Sequence, residues 1–197
     1  MDFKEYLLKS VKETDLQVTF ILKQWREEVG KINKNLLPLV DTFINSNKGG
    51  KGIRGVLVRL GYEMASSKFK VQSLKLENRE IYRVAAAYEI LHTAILAHDD
   101  IMDQDTERRG QPSLYQALGG LAHRSLGEGR EHYGISQAIS LADAGFFLST
   151  KIIADSKFEE GLKNQALSLF AKIMVDTAVG QMLDVSQESR VKRRKHN

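Results

Sequence analysis

The chain has 197 residues, 42% hydrophobic and 27% charged, with two prolines and no cysteine. That length fits one domain with a real core, and the missing cysteine excludes disulfides, thiolate nucleophiles and Cys-ligated zinc. The net charge of +4 comes from the end of the chain: residues 190–195 hold five Lys or Arg and no acid, and removing those five charges leaves −1. The basic tail at 188–197 carries no aromatic residue to stack on bases. It reads as a solvated helix end, where cations suit the dipole, rather than as a nucleic-acid patch. Glu89 and Asp143 interrupt the two richest apolar stretches, so no membrane span is expected. Residues 1–5 lack a basic-then-apolar signal. A soluble, cytoplasmic protein is the expectation.

Periodicity is helical nearly throughout. Residues 3–29 set Tyr6, Leu7, Val11, Leu16, Phe20 and Leu22 on a stripe, with Gly30 as the stop. A second helix is predicted over 32–45, then a breaker-rich loop from Asn45 to Gly52. Helix resumes over 53–66. A long helix follows over 78–103, with Val84, Ala87, Ile90, Leu91, Ala94 and Ile95 at three- and four-residue steps. Residues 110–129 read as loop with a short helical piece at 114–118, and two more helices cover 134–152 and 160–187. Strand alternation is scarce. The fold class is all-α, one domain over 1–197.

Residues 98–112, His-Asp-Asp-Ile-Met-Asp-Gln-Asp-Thr-Glu-Arg-Arg-Gly-Gln-Pro, carry the chemistry. Asp99 and Asp103 stand four apart and point the same way on a helix. Asp100 is also a turn-neighbour of Asp103. Carboxylates this close repel unless a cation sits between them. Hard oxygen donors without His or Cys suit Mg²⁺, which takes one or two protein carboxylates and completes its shell with water and phosphate. Arg108 and Arg109 offer fork-shaped donors matched to phosphate oxygens. The competing reading is a solvated acidic helix end followed by a turn at 110–112.

A second cationic group follows the glycine-rich loop. Lys51 and Arg54 stand three apart at a helix start, beside unpaired backbone N–H groups. Alone they read first as surface charges. No Gly-Lys-Ser/Thr ending is present, so this is not a Walker A loop. His92 lies two turns before Asp99 on nearly the same face. It is either a core histidine or a donor to an anion near the metal.

Together these elements resemble the trans-isoprenyl diphosphate synthases, the polyprenyl synthetase family. Residues 49–54, Gly-Gly-Lys-Gly-Ile-Arg, are similar to its GGKxxR element. Residues 89–100 resemble the helix leading into its first aspartate-rich motif, DDxxD. Arg108 and Arg109 match its paired arginines, Tyr133–Ile135 with Leu141–Asp143 its next core helix, and residues 180–184, Gly-Gln-Met-Leu-Asp, its GQxxD element. The resemblance implies an isoprenoid-synthase-type antiparallel helix bundle. It implies Mg²⁺ on Asp99 and Asp103, supported by Asp100, and Arg108 on an allylic diphosphate. Lys51, Arg54, His92 and Arg109 would hold isopentenyl diphosphate, with Gln181 and Asp184 on the opposite wall. The implied activity is prenyl transfer by ionisation, condensation and elimination, in a homodimer or a heteromeric synthase.

The sequence departs from that pattern in three places. Gly52 replaces a basic residue and Gly55 a proline, and glycine in a first helical turn, costing about 1 kcal/mol, is expected to loosen the cradle. A second DDxxD is absent after Asp184, which implies a bundle incomplete at the C-terminus. Two alternatives follow: a truncated or non-catalytic subunit acting through helix–helix contacts, and a class I terpene cyclase, against which the isopentenyl set counts. Ala94 and Ile95, five and four residues before Asp99, leave no aromatic plug to the product cavity. That is compatible with products of twenty carbons or longer.

Overall fold

The computed structural model describes residues 2–68, 74–127 and 129–195, with side chains at 67–78, 124, 128 and 188–197 outside the description. Seven α-helices are described: α1 (Phe3–Ile32), α2 (Leu37–Ser46), α3 (Ile53–Lys68), α4 (Leu74–Asp103), α5 (Leu114–Leu121), α6 (Gly129–Ala154) and α7 (Glu160–Lys195). The only strands among the described residues are β1 (Glu107–Arg108) and β2 (Gln111–Pro112), an antiparallel pair. The fold is all-α, as the periodicity requires. The chain divides into two compact units, 1–157 and 158–197, and each is described by itself.

In the first unit α4 is the central element, packed by α1, α3 and α6, while α5 lies on α6 and α2. Small residues allow the close approach. Ala85, Ala86, Ala87, Ala94 and Ala97 on α4 are buried. A Cβ on Gly145 of α6 would stand 2.9 Å from the Ala94 Cβ and 3.0 Å from the Phe43 ring, so a larger residue there would push the helices apart. Across the same seam His98 Nε2 lies 3.2 Å from Asp143 Oδ1, and its ring stacks on Phe146 at 5.3 Å.

The α1 stripe differs from expectation. Ser10, Thr14, Val18, Ile21 and Leu22 are buried, whereas Leu16 and Phe20 are exposed. A hydrogen-bond network moves the face. Buried Arg59 of α3 donates from Nη1 to Ser10 Oγ at 2.8 Å and from Nε to Glu63 Oε1 at 2.7 Å, and its guanidinium lies over the Tyr6 ring. A satisfied buried cation needs small polar neighbours, so α1 turns Ser10 inward.

Helix bounds shift as well. α1 runs through Gly30, whose bare Cα faces Leu37, and stops at extended Asn33. The 53–66 expectation is met by α3. α5 and α6 run longer than expected, to Leu121 and from Gly129.

In the second unit α7 runs without a break to Lys195, so the backbone of the tail is helical; its side chains fall outside the described residues. The stretch Glu160–Gln187 is long and apolar enough to cross a membrane by length and composition. It thus exceeds the stretches around Glu89 and Asp143 that the sequence singled out. Lys172 and Asp176 pair within it at 2.7 Å.

Candidate functional site

The site forms where three pieces of the first unit meet: the end of α4, the β1–β2 hairpin and the loop 47–52. The hairpin exists because Arg109 and Gly110 both take left-handed backbone, with φ of 56° and 73°. That is the mirror-image two-residue turn, whose twist matches paired strands. The turn thus sits at 109–110, one residue earlier than the sequence suggested.

The hairpin sends its two arginines to different neighbours. Arg108 pairs with Asp100 through Nε and Nη2, while its Nη2 stands 3.6 Å from both Asp99 and Asp105. Asp100 is 2% exposed. Burial pushes its carboxyl up, against the pull of Arg108, and the pairing raises the Arg108 guanidinium in turn. Asp100 thus braces Arg108 and, with it, borders the cavity beside the hairpin. Arg109 instead reaches the glycine loop: a Cβ on Gly50 would stand 3.5 Å from its Nη1.

The imidazole of His92 on α4 is held down to about 4, by burial first and then by the charges of Arg54, Arg109 and Arg108. His92 therefore feels two of the three cations expected to share one diphosphate with it, Arg54 and Arg109. Lys51 borders a neighbouring apolar groove between α1 and α3, of about 910 Å³, with Val11 and Val56. Lys48, which the sequence reading passed over, borders a cavity of about 610 Å³ with Arg108, Arg109, Thr93 and Ser113. No spacing rule singles it out, since one more lysine in a breaker-rich loop is ordinary.

The loop itself corrects one expectation. Gly52 precedes the helix, with φ of 61°, so a left-handed turn and not a helical position uses it. Gly55 is inside the first turn, but its N–H donates to Glu89 Oε1 at 2.7 Å. A proline there has no such donor. The start of α3 is tied down, not loosened.

Asp99 is half-buried and Asp103 exposed at the end of α4. Their hard-oxygen chemistry fits a Mg²⁺ that needs one or two protein carboxylates. Among the described residues no group of three or more ligating side chains gathers, so substrate oxygens and water would fill the remaining positions. Gln181 and Asp184 lie three apart on α7, in the second unit. Ala94 is wholly buried against α6 and Ile95 half-buried, while Leu96 and Ala97 are the apolar α4 residues that border the cavity beside the hairpin.

The polyprenyl synthetase family model matches residues 38–197. The chain belongs to the polyprenyl synthetase family. It is 29% identical over 170 residues to a short chain isoprenyl diphosphate synthase of Methanocaldococcus jannaschii, covering 81% of this chain and 43% of that protein. The counterpart in Methanothermobacter thermautotrophicus is 30% identical over 167 residues, covering 84% and 43%. Among solved structures, the geranylgeranyl pyrophosphate synthase of Corynebacterium glutamicum, complexed with isoprenyl diphosphate and magnesium, matches with a TM-score of 0.80 and 25% identity, covering 92% of this chain and 52% of that one. The chain spans less than half the length of these curated relatives, and it shares its all-α fold with the solved geranylgeranyl pyrophosphate synthase.

Proposed function

We propose that this chain forms one wall of a prenyltransferase site, binding isopentenyl diphosphate and an allylic diphosphate. The observation that carries the reading is the convergence of Arg54, His92 and Arg109 beside the helix that ends in Asp99 and Asp103. A neutral imidazole among three guanidiniums is a site short of negative charge, and a diphosphate supplies it.

In this reading Arg54, Arg109 and His92 orient the diphosphate of isopentenyl diphosphate, with Lys48 or Lys51 closing the loop side. Arg108, fixed by Asp100, presents its remaining N–H groups to the allylic diphosphate. Asp99 and Asp103 would hold Mg²⁺, which when bound offsets the negative charge of the departing pyrophosphate. The allylic C–O bond breaks, the double bond of the second substrate forms the new C–C bond, and a proton leaves to pyrophosphate. No side-chain nucleophile is needed. Gln181 and Asp184 carry the GQxxD element on α7 of the second unit. The chain's length relative to its relatives favours a site completed by further polypeptide, either more of the same chain or a partner subunit. We further assign the protein to the cytoplasm, since both substrates are water-soluble anions.

The test is incubation with labelled isopentenyl diphosphate, farnesyl diphosphate and Mg²⁺, alongside calorimetric binding of each diphosphate. Binding of both substrates supports the reading, whether or not elongation occurs without a partner. Hydrocarbon released from the allylic substrate alone would identify a cyclase instead. Binding of neither would overturn the assignment.

A further inference from the structure

We propose that Glu89 is a positioning residue: its carboxylate holds the start of α3 against α4 and so sets where Arg54 stands relative to His92. The proposal rests on the reading of Arg54 and His92 as diphosphate ligands only for its binding readout.

The geometry is a short closed circuit. Gly55 is the third residue of α3, and its N–H is one of the four at a helix start with no partner inside the helix. It donates to Glu89 Oε1 at 2.7 Å, from an element 34 residues away. Arg54 directly precedes Gly55. His92 follows Glu89 by three residues on α4, one turn along the same face. The bond therefore links the residue beside one ligand to the residue one turn from the other.

The opposite side of this helix start is fixed by packing. A Cβ on Gly55 would stand 2.8 Å from Thr14 Cγ2, and one on Gly52 would stand 3.1 Å from the Val11 methyls. α1 thus presses the loop and first turn of α3 towards α4. Packing alone sets the depth of that contact; the Glu89 bond sets its register along α4. After burial, Arg54 is the charge that weighs most on His92, ahead of Arg109 and Arg108, so the His92 titration responds to where Arg54 stands.

Three variants separate the bond from the charge. Glu89→Gln keeps the acceptor and removes the charge. Glu89→Asp keeps the charge but withdraws it by one methylene, and Glu89→Ala removes both. His92 is titrated by NMR in each, and isopentenyl diphosphate binding without Mg²⁺ is measured by calorimetry. Losing the bond frees Arg54, so His92 should titrate about half a unit or more higher in Glu89→Asp than in wild type, and in Glu89→Ala than in Glu89→Gln. Affinity should fall about tenfold in the Asp and Ala variants and stay within about threefold in the Gln variant. If Glu89→Ala does not fold, Glu89→Asp against wild type decides alone. Equal His92 titrations within both pairs overturn the proposal. A shifted titration in a protein that never binds isopentenyl diphosphate keeps the positioning role and overturns the substrate reading.

Discussion

Asp99 and Asp100 are identical neighbours on α4, yet a rotation of about 100° per residue gives them different surroundings. Asp100 is buried and pairs with Arg108. Asp99 is half-buried and shares the helix face of His92 and of exposed Asp103. An aspartate-rich run is therefore not a set of equivalent carboxylates: one braces the arginine beside it, and under the proposed function the other two hold the metal.

The sharpest way to break that comparison is to remove one aspartate from each face. Asp103→Ala should reduce Mg²⁺-dependent pyrophosphate binding by about 100-fold or more, while the melting transition moves by less than about 0.5 kcal/mol, as for other exposed substitutions. Binding unchanged by calorimetry would take Asp103 out of the site. Asp100→Ala should do the reverse first: urea denaturation should show a loss of about 2–3 kcal/mol, because a half-buried guanidinium loses its partner. A protein as stable as wild type would show that Asp99 and Asp105 hold Arg108 without it.

The buried side of α4 sharpens the comparison from another direction. Gly145→Ala forces a methyl against Ala94 and Phe43 and should cost about 1–3 kcal/mol by thermal denaturation, as overpacking does. The same logic makes Ala94→Phe a stability variant, whereas Ile95→Phe tests product length without that penalty.

The smallest effect concerns His92. Its folded value of about 4 lies below the ordinary 6.5, so the unfolded chain takes up a proton first as pH falls. The contribution is fully present above about pH 6.5 and is lost between 6.5 and 4. For a half-buried group this amounts to about 1–2 kcal/mol. His92→Asn should flatten that part of the stability–pH curve, measured by denaturation at pH 7, 5.5 and 4. Pyrophosphate binding should raise the His92 value and therefore consume protons in the same window.

The helices, and the nearness of the two arginines to the aspartates along the chain, are legible in the sequence because apolar periods and charge spacing are local and one-dimensional. What depends on a partner far along the chain is not. Ser10 turns inward in place of Leu16 and Phe20 because Arg59, 49 residues on, needs a hydroxyl, and Thr14 beside it packs on Gly55. Glu89 reads in the sequence only as a charge inside an apolar stretch, and its bond to Gly55 is invisible until α3 and α4 are side by side. Lys48 and Lys51 cannot be ranked by composition when both sit in one glycine-rich loop. The two-residue strands lie below the length at which alternation is detectable.

The left-handed pair Arg109–Gly110 has a consequence for how this chain tolerates change. Because the hairpin is so tight, adjacent guanidiniums are dealt out to different customers, one inward and one across to the glycines. Inserting or deleting a single residue between Gln104 and Arg108 would move the hairpin relative to α4 and part Arg108 from Asp100. Length in this connection should therefore be guarded more strictly than the identity of its intervening residues.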